Sequence, residues 1–245
     1  MVRMQQKKVA YTFDYQVAVE AAEKQRSIFW TPDEIDVEKD IQDLKVNLTE
    51  AEAHGVITTL KLFTLTELVA GNEYWGKRVM RMFPRPDINM MANAFSFFEL
   101  NVHAPFYNAI NEALMINTDE FYLSYLDNPI LADRMEFIED AVTSKDDLLS
   151  LAVFSMVEGV SLYSAFGFLL HFQAKGKNKI KNICSGIKFS VRDENLHSEG
   201  GAWLYKTLLE EKTQAGEVNT EELASLIRAI TTASEQLRQH EYAVV

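Results

Sequence analysis

The sequence has little of what extracellular, membrane and nucleic-acid-binding proteins usually need. Its 245 residues include one cysteine, Cys184, which excludes an internal disulfide and fits a reducing cytoplasm. Glycine and proline are few, at 10 and 5 residues, which argues against a disordered chain or a turn-rich all-β protein. Acidic residues outnumber basic ones by 36 to 24, and the formal charge of −12 argues against a general nucleic-acid-binding protein.

Long uninterrupted hydrophobic runs are also missing. The opening residues MVRMQQKKVAYTF lack the apolar run of a signal peptide. The most apolar stretch, residues 151–172, is interrupted by Glu158 and His171, so we expect a buried core helix there instead of a membrane span. These absences predict a cytoplasmic protein with no membrane and no nucleic acid among its partners.

Signals for the beginning and end of helices dominate the rest of the chain, and no convincing alternating strand pattern occurs. Thr31 with Glu34, and Thr49 with Glu52, have the spacing of capping boxes. The patterns predict long helices over about 50–82, 87–116, 143–176, 177–213 and 220 to the end, with shorter helices over 119–142. We therefore expect one all-α domain over residues 1–245, a bundle of helices of about 30 residues after a short N-terminal segment, 1–30.

Four glutamates have apolar neighbours on the predicted buried faces of four different long helices. They are Glu67, Glu99, Glu158 and Glu194. An unpaired buried carboxylate costs several kcal/mol or stays protonated, so such residues need an explanation. Two of the four have a histidine about one helical turn later, His103 after Glu99 and His197 after Glu194.

This set matches the ligands of di-iron and di-manganese carboxylate bundles. Carboxylates can bridge two cations, four of them offset the charge of two divalent ions, and the mixture suits iron or manganese better than zinc. Taken singly, each glutamate could be a polar contact between helices, and one Glu–His pair is common by chance. The order of acid, acid with histidine, acid, acid with histidine is much less expected by chance.

The chain resembles the small (beta) subunit of class I ribonucleotide reductase, which has the ferritin-like fold. The resemblance runs from about residue 10 to the end, through FWTPDEIDVEKD, the Glu67 helix, AFSFFELNVHAPFYNAINEAL, SMVEGVSLYSAF and GIKFSVRDENLH. It implies two metal ions per chain, Fe or Mn (di-iron, di-manganese or mixed), that react with O₂ or a reduced oxygen species. It also implies a homodimer that passes an oxidising equivalent to the large (alpha) subunit, where ribonucleotides are reduced to deoxyribonucleotides.

Residue by residue, the resemblance assigns ligands and redox residues. One metal would be held by Glu67, Glu99 and His103, and the other by Glu158, Glu194 and His197, with some acids bridging. Tyr107 falls where the family has its radical tyrosine, and Trp30, Asp193 and His103 would form a hydrogen-bonded chain from the surface to the metals. The alternative for each is a structural role: Tyr107 as an ordinary core tyrosine, and Trp30 as an ordinary core tryptophan.

Three features depart from the family pattern. Glu67 stands where the family often has aspartate, as in some manganese-using members, which leaves the choice of metal open. ELNVH has one residue more than the usual Glu-x-x-His, and a π-bulge could accommodate it. The sequence stops at RQHEYAVV, so we expect the family's C-terminal tail, with its relay tyrosine, to be absent.

Two other functions remain open. A ferritin-like dimetal oxidase or oxygenase acting on a small or lipid substrate predicts an open apolar channel to the metals. An iron-storing or purely structural bundle predicts no function for Trp30.

Overall fold

The computed structural model describes residues 2–244, and every regular element within that range is a helix, as the sequence predicts. In chain order the main helices are α1 (Gln16–Ser27), α2 (Glu50–Leu68, Val69–Val79 and Met80–Met82), α3 (Pro86–Phe98, Glu99–His103 and Ala104–Ala113), α4 (Asp119–Leu123), α5 (Pro129–Thr143), α6 (Asp147–Met156, Val157–Ser161 and Leu162–His171), α7 (Lys181–Gln214) and α8 (Thr220–Val244). Short 3₁₀ helices and one π-helical turn lie in the connections between them.

The helix boundaries follow local capping chemistry. The Thr49 hydroxyl accepts from the Glu52 amide at 3.2 Å while the Glu52 carboxylate accepts from the Thr49 amide at 3.0 Å, so α2 begins with the predicted capping box. At Thr31 the same signal starts only the 3₁₀ turn Pro32–Glu34. The predicted end of α6 at Gly176 is wrong, because the helix ends at His171 and Gly176 lies in the following turn with φ of +94°.

The N-terminal segment contains a helix that the sequence analysis did not predict. Helix α1 packs along α3 and also contacts α7. It therefore lies against two of the helices that carry predicted metal ligands.

Three of the long helices change from α to π geometry in their middle parts. In α3 the Ala104 amide donates to the Glu99 carbonyl, five residues back, and in α6 the Leu162 amide donates to the Val157 carbonyl. The extra residue of ELNVH therefore lies in a π-helical turn, as expected.

Helices α2 and α3 approach each other closely at Gly71. A Cβ atom there would lie 2.6 Å from Leu100 Cγ and 3.0 Å from Glu99 Cβ, so only glycine fits. The close approach brings the π-helical segments of the two helices together.

The core consists of two apolar clusters on either side of the predicted ligands. The first contains Phe95, whose ring centroid is 4.3 Å from that of His197. The second contains Tyr107, whose ring centroid is 6.3 Å from that of His103. The polar centre of the bundle is therefore closed off by aromatic side chains.

Among the described residues, the helix Asp147–His171 (α6) is long and apolar enough to cross a membrane. It packs along α7 and against α5 and α8, and it carries the buried Glu158. It is therefore a core helix of the bundle, as predicted.

Candidate metal centre

The six predicted ligand residues meet in the centre of the bundle, and each is at most 1% exposed. Their candidate ligand atoms form two overlapping groups, within each of which all the atoms lie within 4.8 Å of one another. The groups are Glu67, Glu99, His103 and Glu194, and Glu99, Glu158, Glu194 and His197. We call the end with Glu67 and His103 the first position and the end with Glu158 and His197 the second position.

Glu99 and Glu194 lie between the two positions. Glu99 has Oε2 2.8 Å from His103 Nδ1 and Oε1 2.6 Å from His197 Nδ1. Glu194 has Oε1 3.0 Å from His103 Nδ1 and Oε2 3.3 Å from His197 Nδ1. Each carboxylate therefore presents one oxygen to each position, the arrangement required of a bridging ligand.

Several buried polar atoms of the centre make no well-directed hydrogen bond within residues 2–244, although some of them lie close to one another. They are both carboxylate oxygens of Glu67 and of Glu194, Glu99 Oε1 and His197 Nδ1. Buried polar atoms are normally paired, and several unpaired ones facing one another indicate a site for something else. Within residues 2–244 no Lys or Arg forms an ion pair with the six residues. Carboxylate oxygens and imidazole nitrogens are ligands of iron and manganese, so the set fits a pair of such ions.

The electrostatics of the centre favour the protonated forms of its histidines and of Glu67 and Glu158. Burial lowers the pKa of His197, but the Glu99 and Glu194 carboxylates outweigh it and raise that pKa to about 10. Burial lowers the pKa of His103 as well, but the neighbouring carboxylates raise it more, so that it lies well above its ordinary value. Burial, together with neighbouring carboxylates, raises the pKa of Glu67 and that of Glu158.

The predicted hydrogen-bonded chain from Trp30 is present. The Trp30 indole N–H donates to Asp193 Oδ2 at 2.7 Å, and the same oxygen lies 3.1 Å from His103 Nε2. The second ring nitrogen of His103 therefore faces Asp193, while Nδ1 faces the centre. Trp30 is 2% exposed and its ring lies against Phe106, with centroids 5.5 Å apart.

Tyr107 lies beside the first position. It is fully buried, and its ring centroid is 4.8 Å from that of Phe63. Burial raises the pKa of its hydroxyl well above the usual range, although His103 acts in the opposite direction. The location agrees with the predicted one, while a radical role stays a prediction.

Two further residues contact the centre that the sequence analysis did not identify. Gln25 in α1 has Oε1 3.1 Å from His197 Nε2, and the Trp75 indole N–H in α2 donates to Glu158 Oε1 at 2.8 Å. Trp75 follows Glu67 by eight residues, but the π-helical segment Val69–Val79 begins between them, so α-helical spacing does not identify it. No local signal marks Gln25, which is 172 residues from His197 in sequence.

A bundle of long helices that buries four glutamates and two histidines in two overlapping groups defines a ferritin-like protein of the dimetal-carboxylate class. The sequence profile of the family described as "Ribonucleotide reductase, small chain" matches residues 7–243. The chain therefore belongs to the ribonucleotide reductase small chain family.

Relatives and solved structures agree with this membership. The chain is 25% identical over 206 residues to a probable ribonucleoside-diphosphate reductase small subunit of Invertebrate iridescent virus 6, covering 77% of this chain and 56% of that protein. It is 26% identical over 209 residues to the ribonucleoside-diphosphate reductase subunit beta of Halalkalibacterium halodurans, covering 82% and 58%. The chain thus spans little more than half the length of these relatives.

Among solved structures, the fold matches the dimanganese(II)-NrdF of Streptococcus sanguinis with a TM-score of 0.80. The match covers 96% of this chain and 81% of that one, at 21% identity. The ribonucleotide reductase R2 subunit of Clostridium botulinum matches with a TM-score of 0.78, covering 94% and 73%, at 19% identity. These matches establish the ferritin-like fold that the sequence predicts.

Proposed function

We propose that the chain is the radical-generating small (beta) subunit of a class I ribonucleotide reductase. It would bind two metal ions, Fe or Mn, and pass an oxidising equivalent to a large (alpha) subunit that reduces ribonucleotides to deoxyribonucleotides. The observation that carries the proposal is the Trp30–Asp193–His103 chain, which connects the outer part of the bundle to the buried carboxylates.

The proposed ligands are those of the two positions, with Glu99 and Glu194 shared. When bound and reacted with O₂ or a reduced oxygen species, such a metal pair supplies one-electron oxidising chemistry. Asp193 accepts hydrogen bonds from the Trp30 indole and from the outer nitrogen of His103, which fixes the His103 tautomer and leaves Nδ1 free for a metal. An electron from the large subunit would enter through Trp30.

Tyr107 is the proposed store of the oxidising equivalent. Because burial raises the pKa of its hydroxyl, Tyr107 stays a neutral phenol at physiological pH. Its oxidation therefore has to remove a proton together with the electron. The apolar rings around it, Phe63 and Phe106, exclude water from the site.

Manganese is a proposed metal alongside iron. The Streptococcus sanguinis structure of the same fold is a dimanganese(II) protein, and the resemblance noted above links glutamate at the position of Glu67 to manganese use. Glutamate and histidine ligands accept either ion, so both belong in the metal test.

We also propose that the chain works as a homodimer in the cytoplasm. Phe29 and Phe97 are 52% and 45% exposed, and they border a cleft of about 580 Å³ formed by α1 and α3. An exposed aromatic surface of this kind favours burial against another protein surface, here a second copy.

The oxygenase alternative requires an apolar channel that reaches the metals. Five surface clefts lie among residues 11–244, and none of the six ligand residues lines any of them. This holds also for the cleft beside Phe97 and Phe98. The storage alternative leaves the Trp30–Asp193 hydrogen bond without a function. We therefore favour the reductase function.

The test combines metal analysis with reconstitution. The chain would be loaded with iron and manganese together in air and then assayed for deoxyribonucleotide formation with the large subunit from the same genome. We expect about two ions per chain, and we expect Trp30→Phe to keep both ions but lose reductase activity. Trp203→Phe is the matched control, since Trp203 packs on Tyr15 away from the centre. Fewer than one ion per chain, or full activity of Trp30→Phe, would refute the proposal.

A further inference from the structure

The two histidines of the centre have outer partners of different charge. The outer nitrogen of His103 faces the Asp193 carboxylate at 3.1 Å, whereas that of His197 faces the neutral amide oxygen of Gln25, also at 3.1 Å. An outer hydrogen-bond acceptor orients a ligand histidine and raises its basicity, and a carboxylate does so more strongly than an amide. His103 is therefore the stronger donor of the two.

The contact with His197 explains why an amide side chain is buried at Gln25. It is fully buried, and its Nε2 has no hydrogen-bond partner among the described residues, so the contact with His197 is its principal polar interaction. Burying an amide with an unsatisfied N–H is unfavourable. A residue with only a packing role would not need that amide.

The two glutamates that are not shared, Glu67 and Glu158, also differ in the hydrogen bonds of their carboxylates. Neither oxygen of Glu67 has a well-directed hydrogen bond to any other residue in the range 2–244, so both are available to a metal. Glu158 Oε1, in contrast, already accepts a hydrogen bond from the Trp75 indole. Trp75 is fully buried and fixed by edge-to-face contacts with Tyr74 and Phe95, so this donor does not move aside easily.

We propose that Gln25 and Trp75 are positioning residues that set the affinity of the second metal position, which is the weaker of the two. The first position has the histidine with an anionic partner and a glutamate with two available oxygens. The second has the histidine with a neutral partner and a glutamate with one oxygen held by an indole. Metal ions therefore fill the first position before the second. The inference rests on the proposed dimetal function and adds the order of filling and its cause.

The experiment is a calorimetric titration of the metal-free full chain with Mn(II) under anaerobic conditions, which measures affinity and not activity. We expect two binding steps for the unmodified chain. Asp193→Asn should weaken only the tighter step and Gln25→Ala only the weaker one, each by about 10–100-fold, the usual cost of losing a partner of a ligand histidine. Because the two variants affect different steps, together they show which binding step belongs to which metal position.

Two further variants separate positioning from packing. Gln25→Glu, which gives His197 an anionic partner, should tighten the weaker step toward the stronger one. Trp75→Phe should tighten the weaker step alone, because it frees Glu158 Oε1 from the indole, and Trp203→Phe should alter neither. Thermal unfolding of each metal-free variant checks that it folds.

The outcomes distinguish this inference from the proposed function. If two ions bind but Gln25→Glu and Gln25→Ala change the same step in the same direction, or change the tighter step, the inference is overturned while the dimetal function stands. Binding of less than one ion by the unmodified chain overturns the dimetal function itself.

Discussion

Four buried carboxylates surround the two imidazoles of the centre and favour their protonated forms. The pKa of His197 is raised to about 10 and that of His103 is also raised, because the carboxylates outweigh the effect of burial. The His197 ring is therefore protonated at pH 7, the pKa shift of His103 favours the same state, and a metal ion that binds Nδ1 has to displace such a proton.

Metal loading should therefore release protons and should weaken as the pH falls. For each proton displaced, the apparent affinity should decrease by about tenfold per pH unit below the raised histidine pKa. Calorimetry at pH 7 in two buffers with different ionisation enthalpies measures the number released. A binding heat that is independent of the buffer would contradict the protonated state described here.

At this scale the sequence identified the six residues that meet in the centre of the bundle, but not the two residues that contact them from outside. Buried acids are conspicuous because a carboxylate among apolar neighbours has no ordinary explanation, and Glu99 with His103 adds a recognisable spacing. Gln25 and Trp75 are uncharged and lie 172 and 83 residues from the side chains they contact, so no local pattern connects them.

The helices that carry the ligands pack too closely for any side chain at Gly71. A methyl group there would be 2.6 Å from Leu100 Cγ and 3.0 Å from Glu99 Cβ, and therefore would push the Glu99 turn away from α2. The position of a bridging carboxylate thus depends on a glycine in a neighbouring helix.

We expect Gly71→Ala to lower stability by about 1–3 kcal/mol through overpacking, and to reduce the metal content. Gly167→Ala is the matched control, because it lies in α6 with nothing within 4 Å of the added Cβ. There the alanine should be neutral or should stabilise by up to about 1 kcal/mol through helix propensity. Denaturant unfolding and metal analysis of both variants test this, and equal effects at the two sites would disprove the packing argument.

The sequence predicted the helices with strong terminal signals and missed the one without them. The start of α2 has a capping box, whereas α1 follows Tyr15, which makes no side-chain capping bond. The buried side of α1 consists mostly of small or polar side chains, Ala18, Ala22 and Gln25, which give a weak apolar signal. Tertiary packing against α3 holds α1 in place, and packing is not visible in local sequence.

The N-terminal region is fixed to the rest of the molecule by an ion cluster just before α1. Asp14 pairs with Lys8 at 2.7 Å and with Arg85, and the Asp87 carboxylate accepts from the amides of Asp14 and Tyr15 at 2.8 and 3.1 Å. Lys8 and Arg85 lower the pKa of Asp14 to about 2 against the effect of desolvation. This cluster sets where α1, and with it Gln25, lies against α3 and α7.

Asp14→Asn should lower the thermal midpoint near neutral pH by a few degrees. A carboxyl group with a lowered pKa contributes stability above its unfolded pKa and loses it as the pH falls through the folded pKa. The midpoints of the variant and the unmodified chain should therefore converge between about pH 4 and pH 2. Asp36→Asn, which removes an exposed pair with Lys39, is the control and should have little effect. Midpoints that stay apart at low pH would rule out this role for Asp14.

The π-helical turn of α3 determines where that helix can change its length. Each residue of an α-helix rotates the chain by about 100°, so an insertion elsewhere in α3 would turn every later side chain away from its neighbours. The turn Glu99–His103 confines the additional residue to one loop of backbone, and Tyr107 beyond it still packs in the core. A deletion of one residue between Glu99 and His103 would therefore leave the aromatic core intact, whereas the same deletion after His103 would rotate Tyr107 out of it.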